Sequence, residues 1–180
     1  YNNTMPWFEI YNKGSSCALM SNFSVKSLSI STSDNLNNLS EARTFSLPSV
    51  ELKSGGYMII RGKYTTSNNI TSSASFAEIS DDSSYSPAWG YNGGFIEILK
   101  DGKTIDFISF GTDTTSPTSS DGWTGSAAPK PVFWSTYSKS IARDSTSTDT
   151  NSSSDWSQRT FGTFGGINDV PASCTSDADS

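Results

Sequence analysis

The stretch FIEILKDGKTIDFISF, Phe95 to Phe110, constrains the fold more than any other part of the chain. Two runs of alternating residues flank an Asp-Gly pair. Asp101 and Gly102 supply the positive φ values that a tight primed turn needs, so the stretch predicts an antiparallel hairpin.

Shorter segments of the same kind surround it. Trp7-Phe8-Glu9-Ile10-Tyr11 reads as a strand with Phe8 and Ile10 on one face, and Asn12 to Ser16 is turn chemistry. Phe23 to Ile30 predicts a strand with a bulge where the period breaks at Lys26-Ser27. Phe45-Ser46-Leu47-Pro48 is a short strand closed by Pro. Tyr57-Met58-Ile59-Ile60, entered from the Gly55-Gly56 turn, has the unbroken apolar character of a central strand buried on both faces. Residues 65–91 read as a loop with one short strand or turn around Phe76 to Ile79. Residues 112–131 are a second loop, Phe133 to Arg143 one more strand with Tyr137 and Ile141 in the core, and Asp144 to Ser154 a polar loop. Short alternating strands with turn punctuation and no sustained helical period predict an all-β sandwich. The 180 residues favour one domain, with its body over residues 1–168 and a polar C-terminal tail over 169–180.

Composition narrows the chemistry. About a third of the residues are Ser or Thr, whose side chains compete for backbone hydrogen bonds and disfavour helix; such a composition is common in exported proteins. A net charge of −6 opposes binding to phosphate backbones, so no nucleic-acid partner is expected. No His is present, which removes the commonest general base and metal ligand and excludes Ser-His-Asp and Cys-His catalysis. The two Cys, Cys17 and Cys174, fit one disulfide in an oxidising compartment; two thiols in a reducing one is the other reading. No apolar run approaches the ~20 residues that cross a bilayer.

Several residues invite a chemical reading and a plainer one. Asp144, Asp149, Asn151 and Asp155 place oxygen ligands in one loop and make Ca²⁺ conceivable, but the spacing lacks the glycine and terminal Glu of an EF-hand; a solvated, turn-forming loop is the plainer account. Asp81-Asp82 is read the same way. Glu9 and Glu97 resemble a paired-carboxylate acid/base site, yet each occupies an alternating strand position that predicts exposure to solvent. Trp89, Tyr91 and Trp123 would serve as an aromatic carbohydrate platform or as covers for the open ends of the core. Asn2, Asn22, Asn38, Asn69 and Asn151 lie in N-x-Ser/Thr sequons, a frequency that Ser and Thr abundance produces by chance.

Four blocks, in order, resemble the lamin tail domain family. They are WFEIYNKGSSCALMSNFSVKS, FSLPSVELKSGGYMII, NGGFIEILKDGKTIDFISFG and RDSTSTDTNSSSDWSQRTFGTFGGIND. Together they run from Trp7 to about Asn168. The resemblance implies an immunoglobulin-like β-sandwich with long Ser/Thr-rich loops. It further implies an extracellular or cell-surface module that binds or builds and has no catalytic, cofactor or metal residues of its own. Bacterial members are typically exported, often beside nucleases or phosphatases, so an accessory domain of an exported nuclease or other hydrolase is a related expectation. Two departures stand out. Gly165-Gly166 occupies the place of a Pro-Gly. Family members also begin with a strand ahead of the Trp-containing one, where this chain has only Tyr1 to Pro6. The expectation is therefore an absent first strand, leaving Trp7, Phe8, Glu9, Ile10 and Tyr11 as an edge completed by another segment or subunit. A pilin-like filament subunit is the corresponding alternative, with a protein partner or self-assembly expected and carbohydrate a further candidate ligand.

Overall fold

The computed structural model describes residues 7–30, 42–62, 72–73, 76–79, 92–132, 139–160 and 162–168. The fold is all-β. Its strands are β1 (Trp7–Tyr11), β2 (Ala18–Leu19), β3 (Phe23–Ile30), β4 (Arg43–Ser46), β5 (Glu51–Leu52), β6 (Tyr57–Gly62), β7 (Ser72–Ser73), β8 (Phe76–Ile79), β9 (Gly93–Lys100), β10 (Lys103–Gly111), β11 (Ser140–Ala142) and β12 (Ser157–Arg159). One four-stranded sheet runs β1-β6-β8-β7 and a second runs β10-β9-β3-β4; β11-β12 and β2-β5 form small two-stranded sheets. All pairings between these strands are antiparallel except β6 with β8.

The two larger sheets share one apolar core. Phe8, Ile10, Met58, Ile60 and Ala77 come from the first; Val25, Phe45, Ile96, Ile98, Ile108 and Phe110 come from the second. Met58 and Ile60 are fully buried, and Ile10 and Phe8 stand opposite them in register. Side chains of this size each contribute about 1.5–3 kcal/mol when fully buried, so this stripe fixes which face of each strand points inward.

The hairpin forms as its sequence predicts. Asp101 and Gly102 adopt φ of 51° and 73°, the two positive values of a type I′ turn. Its irregularity lies elsewhere than expected. Pairing of β3 with β9 runs unbroken through Lys26 and Ser27, so the anticipated bulge is absent there. The broken period at this point reflects apolar residues on both faces: Val25 enters the core, while Leu28 lies opposite Phe95 on the other face. The register shift falls in β10, between Thr104 and Asp106, and leaves Ile105 53% exposed.

Of the strand expected from Phe133 to Arg143, residues 133–138 lie outside the described residues and Ser140–Ala142 forms β11; Lys139 exchanges backbone hydrogen bonds of 2.9 and 3.0 Å with Val132. Ile141 packs against the core as expected, and Tyr137 lies outside the described residues. Among the described residues, no helix is long and apolar enough to cross a membrane.

Candidate functional site

Strand period two sends Trp7, Glu9 and Tyr11 to the face of β1 opposite the core, beside Tyr57, Ile59 and Arg61 of β6. The Tyr11 and Tyr57 rings stack with centroids 4.7 Å apart. Arg61 pairs with Glu78 on β8 and lies 5.4 Å over the Phe76 ring. The C-terminal part of the chain returns to this face. The Phe164 ring sits 4.3 Å from that of Trp7, and the Gly165 N–H donates to Glu9 Oε2 at 2.6 Å. A turn makes this approach possible: the Gly166 N–H donates to the Thr163 carbonyl, and Gly165 takes φ of 70°, where a side chain would be strained. Glycine at 165 thus meets the turn's demand. Burial pushes the Glu9 carboxyl above its ordinary value, and the Gly165 N–H partly offsets this.

Among the described residues β6 is the strand paired with β1, and Phe8 makes a further interaction. The outer face of β1 is covered in part by residues of the same chain. Tyr1 to Pro6, where the family's first strand would lie, are outside the described residues.

Glu97 corrects its expectation of solvent exposure. It does face away from the core, but it is fully buried, because residues 112–126 fold over this side of the second sheet. Glu97 Oε1 accepts from the Thr104 hydroxyl and the Thr118 N–H, both at 2.6 Å, and Oε2 accepts from the Thr118 hydroxyl at 3.0 Å. Lys26 Nζ stands 3.7 Å away. Phe95, Phe107 and Trp123 pack in the same layer, Trp123 edge-on to Phe107 at 5.6 Å. Glu9 and Glu97 therefore lie on outer faces of different sheets, and the geometry does not assemble them into an acid/base pair. Trp123 acts as a cover for this layer; Trp89 and Tyr91 lie outside the described residues, as do Asp81 and Asp82.

The Asp-rich loop is held by its own hydrogen bonds. Asp144 accepts from the Thr148 hydroxyl and N–H and from the Thr146 hydroxyl and N–H, and these hold its carboxyl down at about 2. Asp155 accepts from the Thr150 N–H and hydroxyl and the Ser152 N–H, closing a capping box with Ser152. Partial burial pushes Asp155 up, but these bonds outweigh it and its carboxyl lies below the ordinary value. Asp149 accepts from the Asn151 N–H, and Asn151 donates to the Asp121 carbonyl. Among the described residues, no three His, Cys, Asp or Glu side chains converge as metal ligands. Each of the four Ca²⁺ candidates is thus engaged in hydrogen bonds within the chain. Asn151, with its amide committed, is also set apart from Asn22, which is exposed; Asn2, Asn38 and Asn69 lie outside the described residues.

A centre that sequence reasoning missed ties this loop to the hairpin. Arg143 Nη2 contacts Asp106 Oδ1 at 2.7 Å and Asp149 Oδ1 at 3.0 Å, and the guanidinium lies 4.8 Å over the Trp156 ring. Burial pushes the Asp106 carboxyl up, with Arg143 pulling it back. The available signal was period two within β10, which puts Asp106 on the same face as Ile108 and Phe110. A groove of about 380 Å³ nearby is lined by Asp113, Thr115, Pro117, Trp123, Gly125 and Ser126. The Asp113 carboxylate there is already engaged by the Ser109 hydroxyl and by the Thr115 N–H and hydroxyl. Cys17 is exposed with no disulfide partner among the described residues, and Cys174 lies outside them. Comparisons of the chain with known protein families, curated proteins and solved structures found no match.

Proposed function

We propose that this chain is a non-catalytic, extracellular or cell-surface binding or structural module, built as an immunoglobulin-like β-sandwich of the lamin-tail type. The four sequence blocks and the two sheets sharing one core support the architecture. The export-like composition supports the location. One observation carries the functional reading: the carboxylates that could do acid/base or metal chemistry are engaged in holding loops. Glu97 anchors residues 104 and 118, Asp106 and Asp149 hold Arg143, and Asp144 and Asp155 shape their own turns. A general acid or base needs a carboxyl free to exchange a proton with substrate, and these are committed to hydrogen bonds and ion pairs within the chain.

Residues 162–168 cover part of the outer face of β1, but among the described residues β1 is an end strand of its sheet, so a filament subunit whose edge another chain completes is the second reading. The test is turnover by the full chain on chromogenic phosphate esters, phosphodiesters, carboxylic esters and glycosides. The expected rate equals the buffer blank; hydrolysis that is lost in Glu9→Gln would overturn the proposal.

A further inference from the structure

We propose that the groove between residues 112–117 and 123–127 binds a neutral sugar, with a pyranose ring laid against Trp123 and Pro117 and its hydroxyls read by Asp113 and the loop hydroxyls. This rests on the binding-module reading above and gives that module a ligand class. Anchored segments build the groove. Gly111 takes φ of 68° and turns the chain out of β10. Its N–H donates to the Ala128 carbonyl at 2.9 Å, and the Ala128 N–H donates to the Ser109 carbonyl at 2.7 Å, so the two walls are clamped at their base. Glu97 holds the end of the first wall through Thr118. The Gly122 N–H, donating to the Ser119 carbonyl at 3.0 Å, closes the turn between the walls. A cleft of about 380 Å³ suits a small molecule, and walls already fixed lose little freedom when it is filled.

The lining selects the kind of molecule. Among the described residues that line the groove none is Lys or Arg, and Asp113 is 4% exposed at its floor, so a phosphate or carboxylate would meet a negative charge with no counter-ion. Trp123 is the one aromatic ring among them, too few for the cage that holds a quaternary ammonium. The walls are too polar for an apolar ligand. Thr114, Ser116 and Ser126 are exposed, and among the described residues their hydroxyls and the Gly125 and Ser126 N–H groups make no hydrogen bond within the chain. Asp113 accepts from the Ser109 hydroxyl and Thr115 N–H at Oδ2 and from the Thr115 hydroxyl at Oδ1. A carboxylate has about four lone-pair sites, so one remains to accept from a ligand hydroxyl. A pyranose matches this mixture. Its C–H face lies on the ring of Trp123, which keeps its packing on Phe107, while its hydroxyls both donate and accept around the rim.

The isotope-labelled full chain is titrated in NMR with neutral oligosaccharides of glucose, N-acetylglucosamine, mannose and galactose, and separately with inorganic phosphate and with Ca²⁺. The expected result is a saturable shift of the Trp123 indole N–H and of the amides in 112–117 and 124–127 with at least one of the sugars, and none with phosphate or Ca²⁺. Ser126→Tyr, which fills the exposed rim, and Trp123→Phe, which shrinks the stacking surface, should each weaken that binding about tenfold. If Trp123→Phe fails to fold, Ser126→Tyr still decides. No saturable shift with any of these sugars, shifts that map away from the groove, a groove that answers phosphate or Ca²⁺ instead, or Ser126→Tyr binding as the parent does would overturn the site. The same spectra would reveal newly released reducing ends. Their appearance would overturn the non-catalytic reading and leave the sugar site standing, whereas absence of sugar binding would overturn the site alone.

Discussion

A carboxylate buried on the outer side of a sheet is costly unless every lone pair is answered. Glu97 meets that condition through Thr104 and Thr118, with Lys26 as counter-charge. Replacing it by Ala removes the shared acceptor of the Thr118 N–H and the Thr104 and Thr118 hydroxyls and the counter-charge of Lys26, so Glu97→Ala should lose about 2 kcal/mol in urea unfolding. A change within about 0.5 kcal/mol, the usual range for a surface substitution, would show that the network is not holding the loop. Two groups of carboxyls give opposite pH dependences. Asp144 and Asp155 are held below the ordinary 3.8, so their contribution is complete above that pH and is lost as pH falls toward about 2. Asp144→Asn should therefore flatten the acid limb of a stability–pH curve. Glu9 is raised above 4.5, so its favourable contribution exists below 4.5 and is lost as pH rises through its folded value. Glu9→Gln keeps an acceptor for the Gly165 N–H and removes that loss. Its stability, followed by thermal melts, should exceed that of the parent at neutral pH.

At the scale of elements, Arg143 is the joint between the hairpin and the Asp-rich loop. Arg143→Ala removes the partner of Asp106 and Asp149, both partly open to solvent, and the cation from the Trp156 face, at a cost of about 1–2 kcal/mol. Arg143→Lys should recover only part, because an ammonium keeps the charge beside Asp106 and Asp149 but loses the planar guanidinium over the Trp156 ring. Hydrogen exchange should show the loss concentrated in β11 and β12; an effect spread evenly over the chain would argue against a local joint. The elements themselves were largely legible. Phe95 to Phe110 announced its hairpin through alternation and Asp-Gly, and Tyr57 to Ile60 its interior strand through apolar continuity, because both signals are local. The misses have a shared cause. Glu97 read as exposed because alternation reports which face a residue occupies, and cannot report that residues 112–126 fold back over that face. Arg143 was passed over because its partners, Asp106 and Trp156, are distant in sequence.

For the whole molecule, two sheets closed over one core with carboxylates tying down the loops make a scaffold, and the account assigns it binding or structural work. The lamin-tail reading proposed above rests on four sequence blocks in order. The approach of residues 162–168 to β1 could not be read from the sequence, because it depends on a turn at Thr163 to Gly166 meeting a side chain at Glu9. The most direct test of the central claim is the rate at which the full chain hydrolyses chromogenic phosphate, carboxylic ester and glycoside substrates, measured beside Glu9→Gln and Glu97→Gln. The account expects all three proteins to match the buffer blank. A rate above the blank in the parent chain that disappears in either variant would contradict it.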